Sequence, residues 1–349
     1  MSGAGSPQNR SGGRPSGAVP PERARVLKTY SHLSHQKRVP TRYELVTTNL
    51  LYKIGRGLEV DVPLKRWYEQ HQAESPLRSS DWEAFADPRR TTYSSYTALQ
   101  SRREIFVDGI LQAIDDQRVD EALPKPWIEA LERVIAPSRY LFHGLQMLAA
   151  YIGQMAPSGR VLVAALFQTA DEVRRTQRFA YRMRQLQIHH PGFGERSREA
   201  WQTDPLWQPA REAVERMLVT FDFGEALVAL NLSFKPMMDE LLMNKLGELA
   251  VKSGDPLLRA LLSSLYEDSA WQRDWTAELF TMLLRERAEN RAVITGWLEK
   301  WHPFTRRAAA AFAPIWGELF AGIERDLDEF FEGWLRRIDL AAPGSGAPR

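Results

Sequence analysis

The sequence contains no cysteine. This absence excludes disulfide bonds, thiolate nucleophiles and zinc sites built from cysteine, and it agrees with a reducing compartment. Long apolar runs are also missing. The longest begins at Val161 and ends at Gln168, far short of the roughly 20 residues that cross a bilayer. The first residues hold no apolar core of a secretory signal. We therefore predict a cytoplasmic protein with no membrane partner.

Motifs that mark several enzyme classes are absent as well. There is no phosphate-binding loop, no Gly-x-Gly-x-x-Gly after a strand and no Ser-His-Asp order, so NTPases, dinucleotide-binding enzymes and serine hydrolases have no support. Glu-x-x-His occurs only at Glu299–His302, just before Pro303, where a chance match or a surface ion pair explains it better than a metal. His143 falls in an apolar helix, which predicts a hydrogen-bonded core histidine. We predict no catalytic, cofactor-binding or metal-binding residue.

What the chain does contain is typical of a globular protein. It has 349 residues, of which 44% are apolar and 26% charged, enough for one large or two ordinary domains. Its charge is unevenly placed: up to Arg42 there are eight basic residues and a single acid, Glu22. A basic segment can bind nucleic acid. Because no basic, aromatic-studded face accompanies it, we favour an arm that docks on an acidic partner and predict no nucleic-acid partner.

The N-terminal part divides at about residue 27. Residues 1–27 are rich in Gly, Ser and Pro and are predicted to form a disordered leader. Residues 28–92 show no helical period, and their aromatic rings should be buried either on the chain's own bundle or on another subunit. Of the two we favour an extended arm that wraps a partner. Within it, Leu58–Val62 alternates apolar and polar residues and predicts a short strand. The candidate partner-contact residues are Tyr30, Trp67, Tyr68, Trp82 and Phe85.

From Tyr93 onward the pattern is helical, so residues 93–338 are predicted to form one all-α domain and residues 339–349 a flexible tail. The predicted helices are Thr97–Val119, Trp127–Ile135 ending before Pro137, Ser138–Met155, Val161–His190, Pro209–Ser253 interrupted at Gly224 and Pro236, a helix capped by Asp255 that runs to Arg287, Ala292–Trp301 ending before Pro303, and a last helix ending near Ile338. The prolines set these boundaries because proline removes a helical hydrogen bond. Asp255 and Pro256 suit the first positions of a helix.

The helix Val161–His190 is the element around which we expect a long-helix bundle to form. Di-iron carboxylate bundles carry Glu-x-x-His on two core helices, because residues i and i+3 share a face and can bind one metal. This helix carries Glu172-Val-Arg-Arg175 instead, and arginine has no lone pair to offer a metal. The pattern predicts an ion pair between Glu172 and Arg175 where iron could have been bound.

Many acidic residues fall within the predicted helices, and arginines crowd one of them. The acidic residues are Glu104, Asp171, Glu172, Asp222, Glu225, Asp239, Glu240 and Asp268, and the arginines are Arg174, Arg175, Arg178, Arg182 and Arg184. A buried carboxylate needs a partner. The composition therefore favours a structural salt-bridge network over general acid–base catalysis.

Segments spread in collinear order over about residues 28–335 carry a resemblance to a known family. They are TYSHL (29–33), RWYEQ (66–70), SPLRSSDWEAFADP (75–88), SRYLFHGLQM (138–147), YIGQMAP (151–157), QTADEVRR (168–175), FDFGEA (221–226), NLSFKP (231–236) and GWLEKWHP (296–303). Together they resemble the small, non-catalytic β subunit of the hydroxylase in bacterial multicomponent di-iron monooxygenases, in the branch that oxidises toluene, alkenes and isoprene. His302 departs from the residue type expected at its position.

The resemblance implies a ferritin-like fold and a scaffolding role. In this family the hydroxylase is an (αβγ)2 assembly, the α subunit carries the di-iron centre, and β has the same fold without metal. An effector protein and a Rieske-type ferredoxin act on the complex. The resemblance also implies that Glu172 and Arg175 mark the place where a catalytic relative keeps Glu-x-x-His, and that the helix near Asp268 lacks the second metal-binding pair.

Two alternatives from other classes remain open on the residues alone. One is a stand-alone ferritin-like metalloenzyme that binds its own metal through the scattered carboxylates. The other is a helical nucleic-acid-binding protein with a basic tail.

Overall fold

The computed structural model describes residues 32–33, 35–36, 38–50, 63–115, 119–317 and 322–343. The chain divides into two compact units, Met1–Thr41 and Arg42–Arg349. In the first unit, residues 32–33 and 35–36 form short 3₁₀ turns. The predicted leader 1–27, Tyr30, the predicted strand Leu58–Val62 and the end of the predicted tail lie outside the described residues.

The segment that precedes the long helices is partly helical. It contains helix α1 (Arg42–Thr47), helix α2 (Pro63–Tyr68), which continues as a π-helical turn over Glu69–Ala73, and a 3₁₀ turn at Trp82–Ala84. Its Leu77 and Phe85 are buried in the same core as the long helices. Part of the predicted arm therefore packs on the chain's own bundle, one of the two surfaces expected for it, whereas its docking on a partner stays a prediction.

Long helices make up the rest of the second unit, and none of the described residues forms a strand. The helices are α3 (Tyr93–Asp115), α4 (Lys125–Gln154), α5 (Gly159–His189), α6 (Ser197–Thr203), α7 (Gln208–Leu218), α8 (Phe223–Leu227), α9 (Lys235–Asp239), α10 (Leu246–Lys252), α11 (Pro256–Glu286), α12 (Glu289–Ala310), α13 (Ala313–Trp316) and α14 (Ile323–Arg336). A 3₁₀ turn, Val119–Ala122, lies between α3 and α4, and π-helical segments join α8 to α9 (Val228–Phe234) and α9 to α10 (Glu240–Lys245). The predicted all-α fold is confirmed.

Helices α4 and α5 form an antiparallel pair. The predicted break between them is present, and Ser158 caps α5 because its hydroxyl accepts a hydrogen bond from the Val161 amide. The rings of Phe142 and Phe179 meet edge to face between the helices, with centroids 4.8 Å apart. On their other sides, α7 packs on α4 and α11 packs on α5.

Two predicted helix ends are wrong, because Pro137 lies inside α4 and Pro303 inside α12. Pro137 has no amide hydrogen to donate to the carbonyl of Arg133, four residues earlier. The indole Nε1 of Trp207 donates to that carbonyl instead, at 2.7 Å, so α4 continues without an unpaired buried group. Pro303 is exposed, as is Glu299, whose carbonyl can be hydrated.

The predicted interruption at Pro236 takes a milder form than a break. A π-helical segment, Val228–Phe234, precedes it, and the helical path continues into α9. The carbonyl of Leu232, which proline leaves without its donor, accepts a hydrogen bond from Nε1 of Trp334 at 3.1 Å. The predicted cap of α11 is also present: Asp255 accepts from the Leu258 amide at 2.8 Å.

Gly144 permits a close approach of α4 to α7. A Cβ added there would lie 2.5 Å from Cγ1 of Val214, and β-branched valine has little rotamer freedom with which to move away. We expect Gly144→Ala to lower the free energy of unfolding by about 1–3 kcal/mol through overpacking, measured by urea denaturation.

The matched control is Gly109→Ala in α3, where an added Cβ meets nothing within 4 Å. This change should be neutral or stabilise by up to about 1 kcal/mol, because alanine favours the helix. The pair Gly144→Ala with Val214→Ala should be less destabilised than the two single changes predict together. Equal effects at both glycines would contradict the close-approach argument.

Candidate functional site

Four charged side chains meet at the buried centre of the bundle. Glu172 and Arg175 lie on α5, and Lys235 and Asp239 lie on α9. Arg175 Nη1 is 2.7 Å from Asp239 Oδ1 and 3.2 Å from Glu172 Oε1. Lys235 Nζ is 2.6 Å from Glu172 Oε1 and 2.8 Å from Asp239 Oδ2. Two cations and two carboxylates thus form an alternating, electrically neutral group, the buried quartet.

The helical register brings the quartet together. Glu172 and Arg175 are three residues apart and Lys235 and Asp239 four apart, so each pair occupies one helix face. The hydroxyl of Ser269 on α11 accepts a bond of 2.6 Å from Arg175 Nη2. Burial raises the pKa of Asp239, but the charges of Arg175 and Lys235 outweigh it and bring the pKa to about 2. Asp239 is therefore ionised at neutral pH.

The quartet does not fit an iron centre. Arginine and ammonium side chains have no lone pair for a metal, and both point at the carboxylate oxygens that would otherwise be ligands. Among the residues that the structure describes, no group of three or more His, Asp or Glu side chains is arranged to hold a metal ion. The geometry supports electrostatic cross-linking of α5, α9 and α11.

A second buried network joins α3, α5 and α11. Arg174 Nη1 donates to Asp268 Oδ2 at 2.6 Å, and Arg103 also donates to Asp268. Gln100 Nε2 bridges Asp268 and Asp171, at 2.9 Å from an oxygen of each. This network therefore ties α3 to the helices that carry the quartet.

Asp171 is the unusual member of this network because no cation among the described residues contacts it directly. It accepts hydrogen bonds from Tyr96 Oη at 2.7 Å, from Gln100 and from Gln272 Nε2 at 2.8 Å. Burial, together with the charge of Asp268, raises the pKa of Asp171 from 3.8 to about 8. The folded chain therefore favours the protonated carboxyl at neutral pH.

This shift predicts a pH dependence of stability. Between the pKa of 3.8 and the raised pKa of about 8, the folded chain holds a proton that the unfolded chain has released. The free energy of unfolding should fall as pH rises through this window, by at most about 1.4 kcal/mol per pH unit. Asp171→Asn removes the titrating group and should flatten the slope measured by urea unfolding at pH 5.5 to 7.5.

The control for this prediction is Asp108→Asn. Asp108 is 64% exposed and pairs with Arg178, so its removal should leave the slope as in the unaltered chain. Identical slopes for the unaltered chain and Asp171→Asn would contradict the assignment of the proton to Asp171.

The third network connects α5 to the start of α11. Arg182 Nη1 is 2.6 Å from Asp120 Oδ2, and its Nη2 is 3.1 Å from Asp255 Oδ2. Trp127 Nε1 donates to the same Asp255 carboxylate at 3.2 Å. Both Arg182 and Asp255 are fully buried, and Asp255 also caps α11.

The other charged candidates lie away from the quartet. Arg178 pairs with Glu104 and Asp108 on α3, whereas Arg184 is exposed and contacts Gln187. Asp222 caps α8, Glu225 pairs with Lys300, and Glu240 accepts from Tyr266.

Two histidine expectations have different outcomes. His143 is exposed and lies 3.0 Å from Gln146 Oε1, so the prediction of a core histidine is wrong. The side chain points outward because the apolar faces of α4 lie on either side of it. His302 is buried and its ring stacks on Phe331 at 4.3 Å. Burial, aided by the charge of Arg306, lowers the pKa of His302 to about 4. Glu299, the other residue of the Glu-x-x-His match, is exposed.

The predicted partner-contact residues lie against the chain's own bundle. Phe85 is 1% exposed and packs near Trp275, which leaves no ring surface for a partner and corrects that prediction. Trp67 is half-buried beside Phe221, with centroids 4.9 Å apart. Tyr68 donates to the carbonyl of Gln154, and the ring of Trp82 meets that of Phe223. Trp67, Tyr68 and Trp82 keep some exposed surface, and their contact with a partner stays a prediction.

Sequence reasoning missed Lys235 and Ser269. A usable signal for Lys235 was present: it is the sole lysine in the apolar stretch from Phe223 to Met243, four residues before Asp239. Isolated opposite charges at this spacing within an apolar helix indicate a buried ion pair. Ser269 carries no comparable signal.

None of the helices in the described ranges has both the length and the hydropathy that a bilayer crossing requires. The described molecule is thus a long-helix bundle with ion pairs at its buried centre, which defines a helical protein of the ferritin-like class. The expectation that Glu172 and Arg175 mark a former metal site stays a prediction.

Comparison with known proteins identifies the family. The sequence pattern of the methane/phenol/alkene hydroxylase family matches residues 67–287, and the chain belongs to this family. It is 37% identical over 298 residues to the β subunit of the hydroxylase component of the toluene-4-monooxygenase system of Ectopseudomonas mendocina, covering 83% of this chain and 91% of that subunit. The chain is therefore homologous to a hydroxylase-component subunit of a multicomponent monooxygenase.

A solved structure and a second enzyme extend the comparison. A chain of toluene 4-monooxygenase, solved with toluene in its resting active site, superposes with a TM-score of 0.79 at 36% identity, covering 83% of this chain and 97% of that chain. Two oxygenase components of one phenol 2-monooxygenase, from Pseudomonas sp. strain CF600, are both similar to this chain. DmpL is 25% identical over 78% of this chain and 82% of its own length, and DmpN is 22% identical over 78% of this chain but only 51% of its own length. The predicted ferritin-like fold and family are confirmed.

Proposed function

We propose that this chain is the non-catalytic β subunit of a soluble di-iron monooxygenase that oxidises small hydrocarbons with O2. The carrying observation is the 37% identity to a toluene-4-monooxygenase β subunit over nearly its whole length. Toluene-like aromatic compounds are the proposed substrates because that relative is named for toluene, while alkenes or isoprene follow from the resemblance of the segments quoted above.

The role of this chain in that enzyme is to scaffold and position the di-iron α subunit. The quartet Glu172, Arg175, Lys235 and Asp239 supports this role, because its two cations pair with the carboxylates that could otherwise serve as metal ligands. We propose that the di-iron centre lies in α, that α, β and γ form an (αβγ)2 assembly in the cytoplasm, and that an effector protein and a Rieske-type ferredoxin act on it.

Iron analysis tests this function. The chain is purified alone and, separately, after co-expression with its large and third hydroxylase subunits, and iron is measured by mass spectrometry. We expect negligible iron in the isolated chain, an iron-loaded complex on co-expression, and toluene oxidation only by the complex with its electron donors. Stoichiometric iron in the isolated chain would instead identify a stand-alone metalloenzyme, and failure to form a complex would exclude the scaffold role.

A further inference from the structure

His302 on α12 is a buried polar side chain whose hydrogen-bonding capacity the chain does not use. The residue is 6% exposed, and its Nδ1 is enclosed without a hydrogen-bond partner. Nε2, the less enclosed ring nitrogen, also has no partner among the described residues. The ring stacks on Phe331 of α14, with centroids 4.3 Å apart. Because buried polar groups are nearly always hydrogen-bonded, packing alone does not explain this side chain.

His302 lines a cavity of about 220 Å³ between α12, α14 and the residues that follow α14. We call it the histidine cavity. Its most buried lining residues are His302 and Phe331, and the half-buried Ala342 and Pro343 add apolar surface. An apolar cavity of roughly 150 Å³ is large enough to bind benzene, so the histidine cavity has room for a molecule with one aromatic ring.

A larger cavity elsewhere lacks this combination. The cavity of about 400 Å³ beside α6 is lined by Arg133 and Asp204, which pair with each other, and by Arg196 and Glu199, which do the same. None of its lining residues has an enclosed polar atom without a partner. Its charges therefore satisfy one another, whereas the histidine cavity keeps an unpaired group at its most buried point.

Charged side chains at the rim of the histidine cavity restrict what it can hold. Arg306 pairs with Asp328 at 2.8 Å, and Glu332 pairs with Arg336 at 3.3 Å. Arg306, Asp328 and Glu332 all line the cavity and are partly exposed. Two lining carboxylates against one lining guanidinium disfavour an anionic ligand, while a guanidinium can stack on the face of an aromatic ring.

The protonation of His302 defines the polar group of the ligand. Burial holds the pKa of the ring at about 4, so it is neutral at pH 7 and only one of its nitrogens carries a hydrogen. Because Nδ1 has no acceptor, the hydrogen lies on Nε2, since an enclosed N–H without an acceptor is rarer than an enclosed acceptor without a donor. A hydroxyl group can accept from this N–H and donate its own hydrogen to a carboxylate of the rim.

We propose that the histidine cavity binds a neutral phenol with a single ring, whose hydroxyl oxygen accepts a hydrogen bond from Nε2 of His302. The source of such a molecule rests on the proposed function. Insertion of one oxygen atom of O2 into a ring C–H bond of a toluene-like compound gives a phenol, while the electron donors reduce the other oxygen atom to water. The histidine cavity is then a product-binding site in this chain, and an occupied site links α12 to α14.

Binding of 4-methylphenol to the full chain tests the site. Toluene has the same ring and methyl group without the hydroxyl, and benzoate adds a negative charge. The imidazole signals of the chain with isotope-labelled histidine are followed by NMR at pH 7 as each compound is added. For 4-methylphenol we expect saturable shifts of the His302 signals with a dissociation constant of about 1 mM or tighter. Toluene should bind at least about fivefold more weakly, benzoate should not bind, and the signals of the exposed His143 should stay in place.

Two variants locate the binding in the histidine cavity. His302→Phe removes both nitrogens and keeps a planar ring for stacking on Phe331, whereas Ala342→Leu fills part of the cavity and leaves His302 in place. His143→Phe is the matched control at an exposed position. Binding is measured from the relaxation of the ligand signals, and circular dichroism checks that each variant is folded. In His302→Phe the fivefold advantage of 4-methylphenol over toluene should disappear, Ala342→Leu should weaken binding of both compounds, and His143→Phe should change neither.

The outcomes separate the phenol site from the subunit assignment. Equal binding of 4-methylphenol and toluene by the unaltered chain, or an advantage of 4-methylphenol that persists in His302→Phe, would overturn the site. Unchanged binding in Ala342→Leu would also overturn it. None of these results affects complex formation or iron loading, so the proposed function would stand. A chain that binds 4-methylphenol through His302 but forms no complex with the large subunit would keep the site and lose the subunit assignment.

Discussion

Arg175→Met should lower the free energy of unfolding by about 3–5 kcal/mol, the cost of breaking a buried ion pair from one side. Without the guanidinium, Glu172 and Asp239 share only Lys235, and one negative charge stays buried without compensation. Ser269 also loses its donor. The change is read from urea denaturation followed by circular dichroism at pH 7.

Two further variants test whether the loss of stability in Arg175→Met comes from the buried, uncompensated charge. Arg325→Met removes an arginine whose pairing with Glu329 is exposed on both sides, and it should cost less than about 1 kcal/mol. Adding Asp239→Leu to Arg175→Met restores electrical neutrality with Glu172 and Lys235 left as a pair. The double variant should be more stable than Arg175→Met alone. If Arg175→Met costs no more than the surface control, the quartet does not stabilise the bundle.

Asp255→Ala should cost about 3–5 kcal/mol, because three roles end together. The carboxylate caps α11 through the Leu258 amide, accepts from the indole of Trp127, and neutralises the fully buried Arg182. After the change Arg182 retains only Asp120. Thermal and urea unfolding both report the loss.

Asp222→Ala is the matched control for the capping role. Asp222 caps α8 through the Glu225 amide and also contacts Ser75, but it pairs with no arginine in the part of the chain that the structure describes. It should cost about 1 kcal/mol, as an N-cap does. A comparable loss in both variants would show that the Arg182 contact contributes little and that capping explains the effect of Asp255.

Features that depend on neighbours along the chain were predictable from sequence. The cap at Asp255, the break before α5 and the spacing of Glu172 and Arg175 follow from local propensities and helical periodicity. Phe85 and His143 were mispredicted because burial is set by the packing of distant segments. Lys235 lies 63 residues from Glu172 in sequence, so no local pattern reveals that they share a charge network.

The misplaced helix ends have the same origin. A proline predicts a boundary when only the local hydrogen bond is considered. The carbonyl left without a helical donor by Pro137 is that of Arg133. It accepts a hydrogen bond from Trp207, which lies 70 residues after Pro137 in the sequence. No rule confined to one helix could have anticipated a donor from another element.

The two tryptophan–carbonyl bonds also bear on how the chain acquires its structure. Trp207 completes α4 around Pro137, and Trp334 completes the path around Pro236. Before docking, each carbonyl can be hydrated, and the indole replaces that water when the segment is buried, so the helical path is fully hydrogen-bonded in the bundle only with the distant tryptophan in place. Because these bonds couple helix integrity to tertiary contacts, the unfolding transition of the whole bundle should be more cooperative than that of its long helices alone. Replacement of either indole with a ring that lacks a donor should weaken this coupling.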